Sequence, residues 1–322
     1  MPHLPDSPYR PPFLLRSAHL QTIYPALYRR VSGVAYTRER LELPDGDFLD
    51  LDWSRIGADR AAVLCHGLES GSRATYVRGM VRALNGMGWD VAALNFRGCS
   101  GIPNRLLRSY HSGETGDLAA VVGHVLAGGH YRDLALVGFS LGGNVVLKYL
   151  GENPAAVPPA VRVAAAVSVP CDLAGSAARL AAWSNRLYLR RFMRLLKRKI
   201  AWKAELFPER VRVGDFAMVS TFQEFDDRYT APVHGFADAA DYWTRASCRQ
   251  FLPGIRIPTL LLSAADDPFL SPSCFPVVEA AASRWLELET PRWGGHVGFI
   301  QPGRDTYYHE LRVAAFLREA SA

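Results

Sequence analysis

Ser140 sits in Gly138-Phe139-Ser140-Leu141-Gly142, directly after the apolar run Leu134-Ala135-Leu136-Val137. A helical pattern (Val145, Val146, Leu147, Tyr149, Leu150) begins at once behind it. A strand turning sharply into a helix around a serine is a nucleophile elbow, with glycines on either side because neighbouring chain passes close. The Leu141 N–H then lies at a helix N-terminus, where the dipole favours a developing oxyanion. A serine hydroxyl is a poor nucleophile at neutral pH, so it needs a positioned base, itself oriented by a third group. The histidines after Ser140 are His234, His296 and His309. His296 stands in Gly294-Gly295-His296-Val297-Gly298-Phe299, a glycine-rich loop that can curl back over strand ends, and is the expected base. His234 and His309 read as surface or packing residues. Asp266 and Asp267 are the candidate acids. Adjacent side chains in extended backbone point opposite ways, so only one can reach the histidine. Pro268 biases Asp267 towards extended backbone, and Asp267 is taken as the acid, with Asp266 left to hydrogen-bond its own loop. A second oxyanion donor is expected from the backbone N–H of Leu68, after His66-Gly67.

These residues need a frame that brings strand ends together. Ala61–Cys65, Asp90–Asn95, Leu134–Phe139, Arg162–Val169, Thr259–Ser263 and Trp285–Glu289 read as buried strands. Helical spacing lies between them at Tyr76–Met87, Asp117–Leu126, near 275–283 and over Thr306–Glu319. Val34–Arg55 alternates on both sides of Pro44-Asp45-Gly46-Asp47, a β-hairpin signal. This alternation implies an α/β fold: a mostly parallel eight-stranded sheet with an N-terminal hairpin and helices on both faces. On such a sheet the nucleophile, acid and base follow in that chain order. Residues 1–33 read as an arm packed on the core, 34–171 and 251–322 as the core, and 172–250, where strand signals fail, as a lid or cap insertion. Glu114 and Asp117 are expected to cap the following helix and bridge loops.

The chain has 322 residues, 49% of them hydrophobic, with a formal charge of +6. That suits a globular protein with a sizeable core, and not a disordered chain. Its five cysteines are widely spaced with no CxxC pair, which argues against a zinc site or disulfide framework and for a reducing, cytoplasmic compartment. The start, Met1-Pro2-His3-Leu4-Pro5-Asp6, shows no signal-peptide pattern. No cofactor or metal motif is present, and no aromatic-basic platform speaks for nucleic acid.

Several stretches, taken together, carry a family resemblance: Ala18-His19-Leu20-Gln21-Thr22-Ile23-Tyr24, His66-Gly67-Leu68-Glu69, Asn95-Phe96-Arg97-Gly98-Cys99-Ser100-Gly101 and the elbow itself. Further along come Phe225-Asp226-Asp227-Arg228-Tyr229-Thr230-Ala231-Pro232, Asp266-Asp267-Pro268-Phe269 and the His296 loop. The chain resembles the YheT-like branch of the α/β-hydrolases, whose relatives include lipid-cleaving α/β-hydrolase-domain proteins of eukaryotes. The resemblance implies Ser140, Asp267 and His296 as a triad and an ester or acyl-lipid as substrate. The family pattern His-Gly-Leu-Glu-Gly departs here to Ser70-Gly71, which leaves Leu68 in place. The expected activity is a serine hydrolase of carboxylic esters. Acyl transfer, thioester or amide cleavage by the same residues, and a non-catalytic binding protein on the same fold, are the alternatives. Asn185–Lys203 carries Arg186, Arg190, Arg191, Arg194, Lys197, Arg198, Lys199 and Lys203 with no acid among them. This is read either as a cap helix with a solvated basic face or as a contact to anionic membrane surfaces.

Overall fold

The computed structural model describes residues 4, 7–301, 303 and 305–320. Apart from Leu4, the Met1–Asp6 stretch examined for a leader lies outside the described residues. One eight-stranded sheet runs in the order β1-β2-β4-β3-β5-β6-β7-β8. β1 (Thr37–Glu42) and β2 (Phe48–Ser54) form the antiparallel hairpin, and β2 also pairs antiparallel with β4 (Asp90–Asn95). β3 (Arg60–Cys65) pairs in parallel with β4 and with β5 (Asp133–Phe139). β6 (Val161–Val167), β7 (Thr259–Leu262) and β8 (Leu286–Glu289) extend the parallel part.

β5 is apolar on both faces because both are covered. Leu134 and Leu136 enter one core with residues of α3 (Thr115–Ala127) and α4 (Leu141–Glu152). Ala135, Val137 and Phe139 enter the other, with α2 (Thr75–Asn85) and α11 (Tyr308–Ala320). Each fully buried Val, Leu or Phe contributes about 1.5–3 kcal/mol, so a strand with two buried faces reads as an unbroken apolar run.

The N-terminal arm holds α1 (Ala18–Tyr28), introduced by the Ser17 hydroxyl accepting from Leu20 N–H. It is fastened by Arg29, whose guanidinium pairs with Glu310 at 2.5 Å with both side chains buried. Between β6 and β7 lie α5 (Leu173–Ala181), α6 (Arg186–Leu206), α7 (Phe222–Phe225), α8 (Ala231–His234) and α9 (Ala239–Ala246). A π-helical segment, Asp226–Thr230, joins α7 to α8. α10 (Val277–Ala281) precedes β8.

Two expectations need correction. Lys199 and Lys203 are not on a solvated basic face: α6 buries them with Met193, Leu196 and Ile200, at the three- and four-residue spacing of its inner stripe. Burial presses Lys203 down to about 8, and its ammonium donates to Asn104 Oδ1 at 2.6 Å. Nor do Glu114 and Asp117 cap α3 with their side chains. Asp117 is held by Arg97 (2.7 Å), which also reaches Asp45 and Asp47 and so ties α3 to the β1–β2 turn. Glu114 is instead drawn to Arg108. Among the described residues no helix is long and apolar enough to cross a membrane.

Candidate active site

The turn after β5 places Ser140 at φ 51°, ψ −120°, a backbone conformation few L-residues adopt. The two elbow glycines make this possible. A Cβ on Gly138 would lie 2.4 Å from Gly142 O, and one on Gly142 would lie 2.3 Å from Cys65 O. The elbow is pinned by Ser140 N–H donating to Val167 O (2.8 Å).

His296 Nε2 lies 3.0 Å from Ser140 Oγ. On its other side Nδ1 lies 2.8 Å from Asp267 Oδ2 and 3.1 Å from Oδ1. Asp267 is buried, and Oδ1 also accepts from Phe269 N–H (2.9 Å). The Phe269 ring packs on His296 with centroids 4.3 Å apart. The structure thus brings Ser140, His296 and Asp267 into one hydrogen-bonded row, across 156 residues of chain between serine and histidine. Asp266 points elsewhere: Oδ1 accepts from Gly295 N–H (2.9 Å) while Oδ2 is buried with no hydrogen-bond partner among the described residues. Burial pushes Asp266 up to about 6, held back by the Gly295 N–H and reinforced by the Asp267 charge. His309 is fully buried in α11, and His234 bonds Thr230 O (2.8 Å) and Ser109 O (3.0 Å), so neither joins the row.

The His296 loop is held by side chains from three distant segments. Consecutive N–H groups of Gly295, His296 and Val297 donate to Asp266 Oδ1 (2.9 Å), Thr22 Oγ1 (2.9 Å) and Ser168 Oγ (3.0 Å). Ile300 N–H donates to Gln21 Oε1 (2.8 Å). These bonds hold a loop in which Val297 and Phe299 both have positive φ. Gly298 must lack a side chain, since a Cβ there would meet Gln21 O at 2.2 Å. Thr22 and Gln21 explain the Ala18–Tyr24 motif, which is visible in sequence without a role. Ser168 carries no sequence signal at all.

Leu68 follows β3 in the loop facing the elbow. A Cβ on Gly67 would lie 3.3 Å from Ser140 Cβ, which fixes how closely this loop approaches the serine. His66 donates from Nδ1 to Gly67 O (2.7 Å) and accepts from Phe96 N–H at Nε2 (3.2 Å). Burial lowers its pKa to about 4, so it is a neutral brace and not a second base. Two hollows meet at Ser140 and His296. An inner chamber of about 130 Å³ lies under the helices between β6 and β7, walled by Leu141, Phe192, Leu196, Phe225, Asp226 and Trp243 among others. An outer groove of about 330 Å³ runs between α1 and α6, past Ile23, Leu27, Leu187 and Leu195. Among the described residues no cluster of His, Cys, Asp and Glu is arranged to hold a metal.

The alpha/beta hydrolase fold family matches residues 62–301. The chain is 38% identical to YheT of Escherichia coli (strain K12) over 290 residues, covering 88% of this chain and 84% of that protein. It is 29% identical to the phospholipase ABHD3 of Mus musculus (85% and 69% covered). It is also 29% identical to the monoacylglycerol lipase ABHD2 of Danio rerio (91% and 74%). Among solved structures, the Pyrococcus furiosus esterase Pf2001 superposes with a TM-score of 0.63 at 18% identity, covering 91% of this chain and 96% of that one. The chain therefore belongs to the α/β-hydrolase family, in the branch of YheT and its lipid-hydrolase relatives.

Proposed function

We propose that the protein hydrolyses carboxylic esters through an acyl-enzyme on Ser140. The observation that carries this reading is the row Asp267–His296–Ser140, with spacings of 2.8 and 3.0 Å, opening onto an apolar chamber. Ser140 Oγ attacks the ester carbonyl as His296 Nε2 takes its proton, and Asp267 holds the Nδ1–H tautomer and stabilises the imidazolium. The Leu68 and Leu141 N–H groups receive the oxyanion. The imidazolium returns the proton to the leaving alcohol. Water, deprotonated by His296, then releases the acid and restores Ser140.

The hollows support a substrate with one short and one long branch. A 150 Å³ apolar cavity takes a guest about the size of benzene, so the inner chamber suits about six heavy atoms. The longer chain then runs out along the groove. Names of relatives, a phospholipase and a monoacylglycerol lipase, agree with an acyl-lipid substrate. Arg186, Arg190, Arg191, Arg194 and Arg198 are exposed on α6, beside exposed Trp183 and Leu187, and these support contact of the groove mouth with an anionic membrane surface. The five free cysteines fit a reducing, cytoplasmic compartment. The deciding experiment is labelling with a fluorophosphonate followed by hydrolysis of p-nitrophenyl esters of increasing chain length. The adduct is expected on Ser140, absent in Ser140→Ala, with turnover favouring medium and longer chains. Folded protein left unlabelled, and inert towards every ester, would overturn the reading.

A further inference from the structure

Leu68 sits between two anchored neighbours. On one side, Gly67 is fixed within the core: its N–H donates to Tyr76 Oη (2.9 Å) and its carbonyl accepts from His66 (2.7 Å). On the other, Glu69 has φ 50°, a left-handed backbone that persists in a non-glycine residue only where its surroundings enforce it. Glu69 N–H donates to Tyr110 Oη (2.8 Å), and the Tyr110 hydroxyl donates to Glu69 Oε1 (2.9 Å). The remaining holder comes from the insertion. Lys199 of α6 places Nζ 2.8 Å from Glu69 Oε1, with each side chain only 7% exposed. The same ammonium lies 4.5 Å from the Tyr110 ring centroid and donates to Cys99 Sγ at 3.3 Å. A cap helix that merely roofed the chamber would need an apolar residue here. An ion pair this buried is kept only with good geometry and further hydrogen bonds, which Tyr110 and Cys99 supply.

We propose that Lys199 is a positioning residue for the oxyanion hole: through Glu69 it holds the strained end of the loop that presents the Leu68 N–H. The donor is then in register only while α6 is seated on the core, so covering the chamber and completing the catalytic site are one event. This rests on the ester-hydrolase reading above.

The test compares Lys199→Met and the double variant Glu69→Gln/Lys199→Met with the parent enzyme. The double variant removes both charges, so it leaves no lone buried ion and decides the matter if Lys199→Met fails to fold. Three quantities are measured: kcat and KM for a p-nitrophenyl ester, the affinity of a trifluoromethyl ketone, and that of an unreactive ether of the same chain. The ketone accepts Ser140 Oγ at its carbonyl carbon, sends the serine proton to His296 and places its oxyanion in the hole. Expected is a fall in kcat of about ten- to a hundredfold with KM little changed. Ketone affinity should fall in step with kcat, and ether affinity should hold. Because the two residues act as a pair, the double variant should be no worse than Lys199→Met. A folded double variant with parental kcat and ketone affinity overturns the proposal, as does an equal loss for ketone and ether. Parent enzyme inert to every ester overturns this proposal together with the hydrolase reading, whereas active parent with unchanged variants overturns this one alone.

Discussion

Two adjacent aspartates end up with different tasks because consecutive side chains diverge. Asp267 faces His296, and Asp266 faces the Gly295 N–H. Asp267→Asn should leave the fold intact and favour the wrong imidazole tautomer, lowering kcat by about 10⁴. Asp266→Asn should lower it far less. Steady-state kinetics on both variants, with circular dichroism as the folding control, checks the assignment, and the opposite order would move the acid to Asp266. A third carboxylate, Asp226, lies in the chamber wall, accepting from Thr230 Oγ1 (2.6 Å) and Trp243 Nε1 (2.8 Å). Burial pushes it up to about 6, against about 3.9 in an unfolded chain. The fold therefore favours the protonated form. Stability from this group is fully present below about pH 3.9 and is lost as pH rises through about 6. Asp226→Asn removes that dependence. The stability difference between variant and parent, read from urea unfolding, should shift by about 2 kcal/mol in the variant's favour between pH 4 and pH 8. A pH-independent difference would contradict it.

At the scale of elements, the strands and the elbow were legible because their signals are local: an apolar run, a glycine pair, a helical period. The meeting of Ser140, Asp267 and His296 was foreseeable because a parallel sheet delivers its loops to one edge. What stayed hidden depends on long-range contact. Ser168 supports Val297 from 129 residues away, and nothing around it marks it. Lys199 and Lys203 looked like members of a solvated cationic run, because composition does not say which stripe of α6 faces inward. The exposed arginines of α6 give a direct expectation. Hydrolysis of esters dispersed in anionic vesicles should fall as salt rises, since the screening length shrinks from about 30 Å at 0.01 M to about 10 Å at 0.1 M. Arg190, Arg191 and Arg194 changed together to Gln should abolish that salt effect while leaving turnover of a small soluble ester nearly unchanged. Equal salt dependence for both substrates in the parent would reduce α6 to an ordinary cap.

Across the whole molecule the N-terminal arm does more than cover surface. It supplies Thr22 and Gln21 to the His296 loop and is locked at its far end by the buried Arg29–Glu310 pair. Arg29→Met leaves Glu310 as a buried carboxylate without its partner, which should cost about 3–5 kcal/mol. Breaking the exposed Arg245–Asp241 pair by Arg245→Ala should cost far less, because solvent screens it. Urea midpoints for the two variants test the contrast. Similar losses would mean the arm is fastened elsewhere.

The chain also pairs at Leu4, whose N–H donates to Leu288 O (2.7 Å) and whose carbonyl accepts from Thr290 N–H (3.2 Å). This pairing lies along β8, the last strand of the sheet. An open strand edge is a template for another chain, and proteins blunt such edges by covering or charging them. Here the two ends of the sheet are defended differently. β1 carries Arg38, Glu39, Arg40 and Glu42 in a row of six, whereas the rim of β8 is paired at Leu4. Losing the Leu4 pairing would therefore expose a sticky margin along β8. A chain without that pairing should self-associate as its concentration rises, which sedimentation over a concentration series would check.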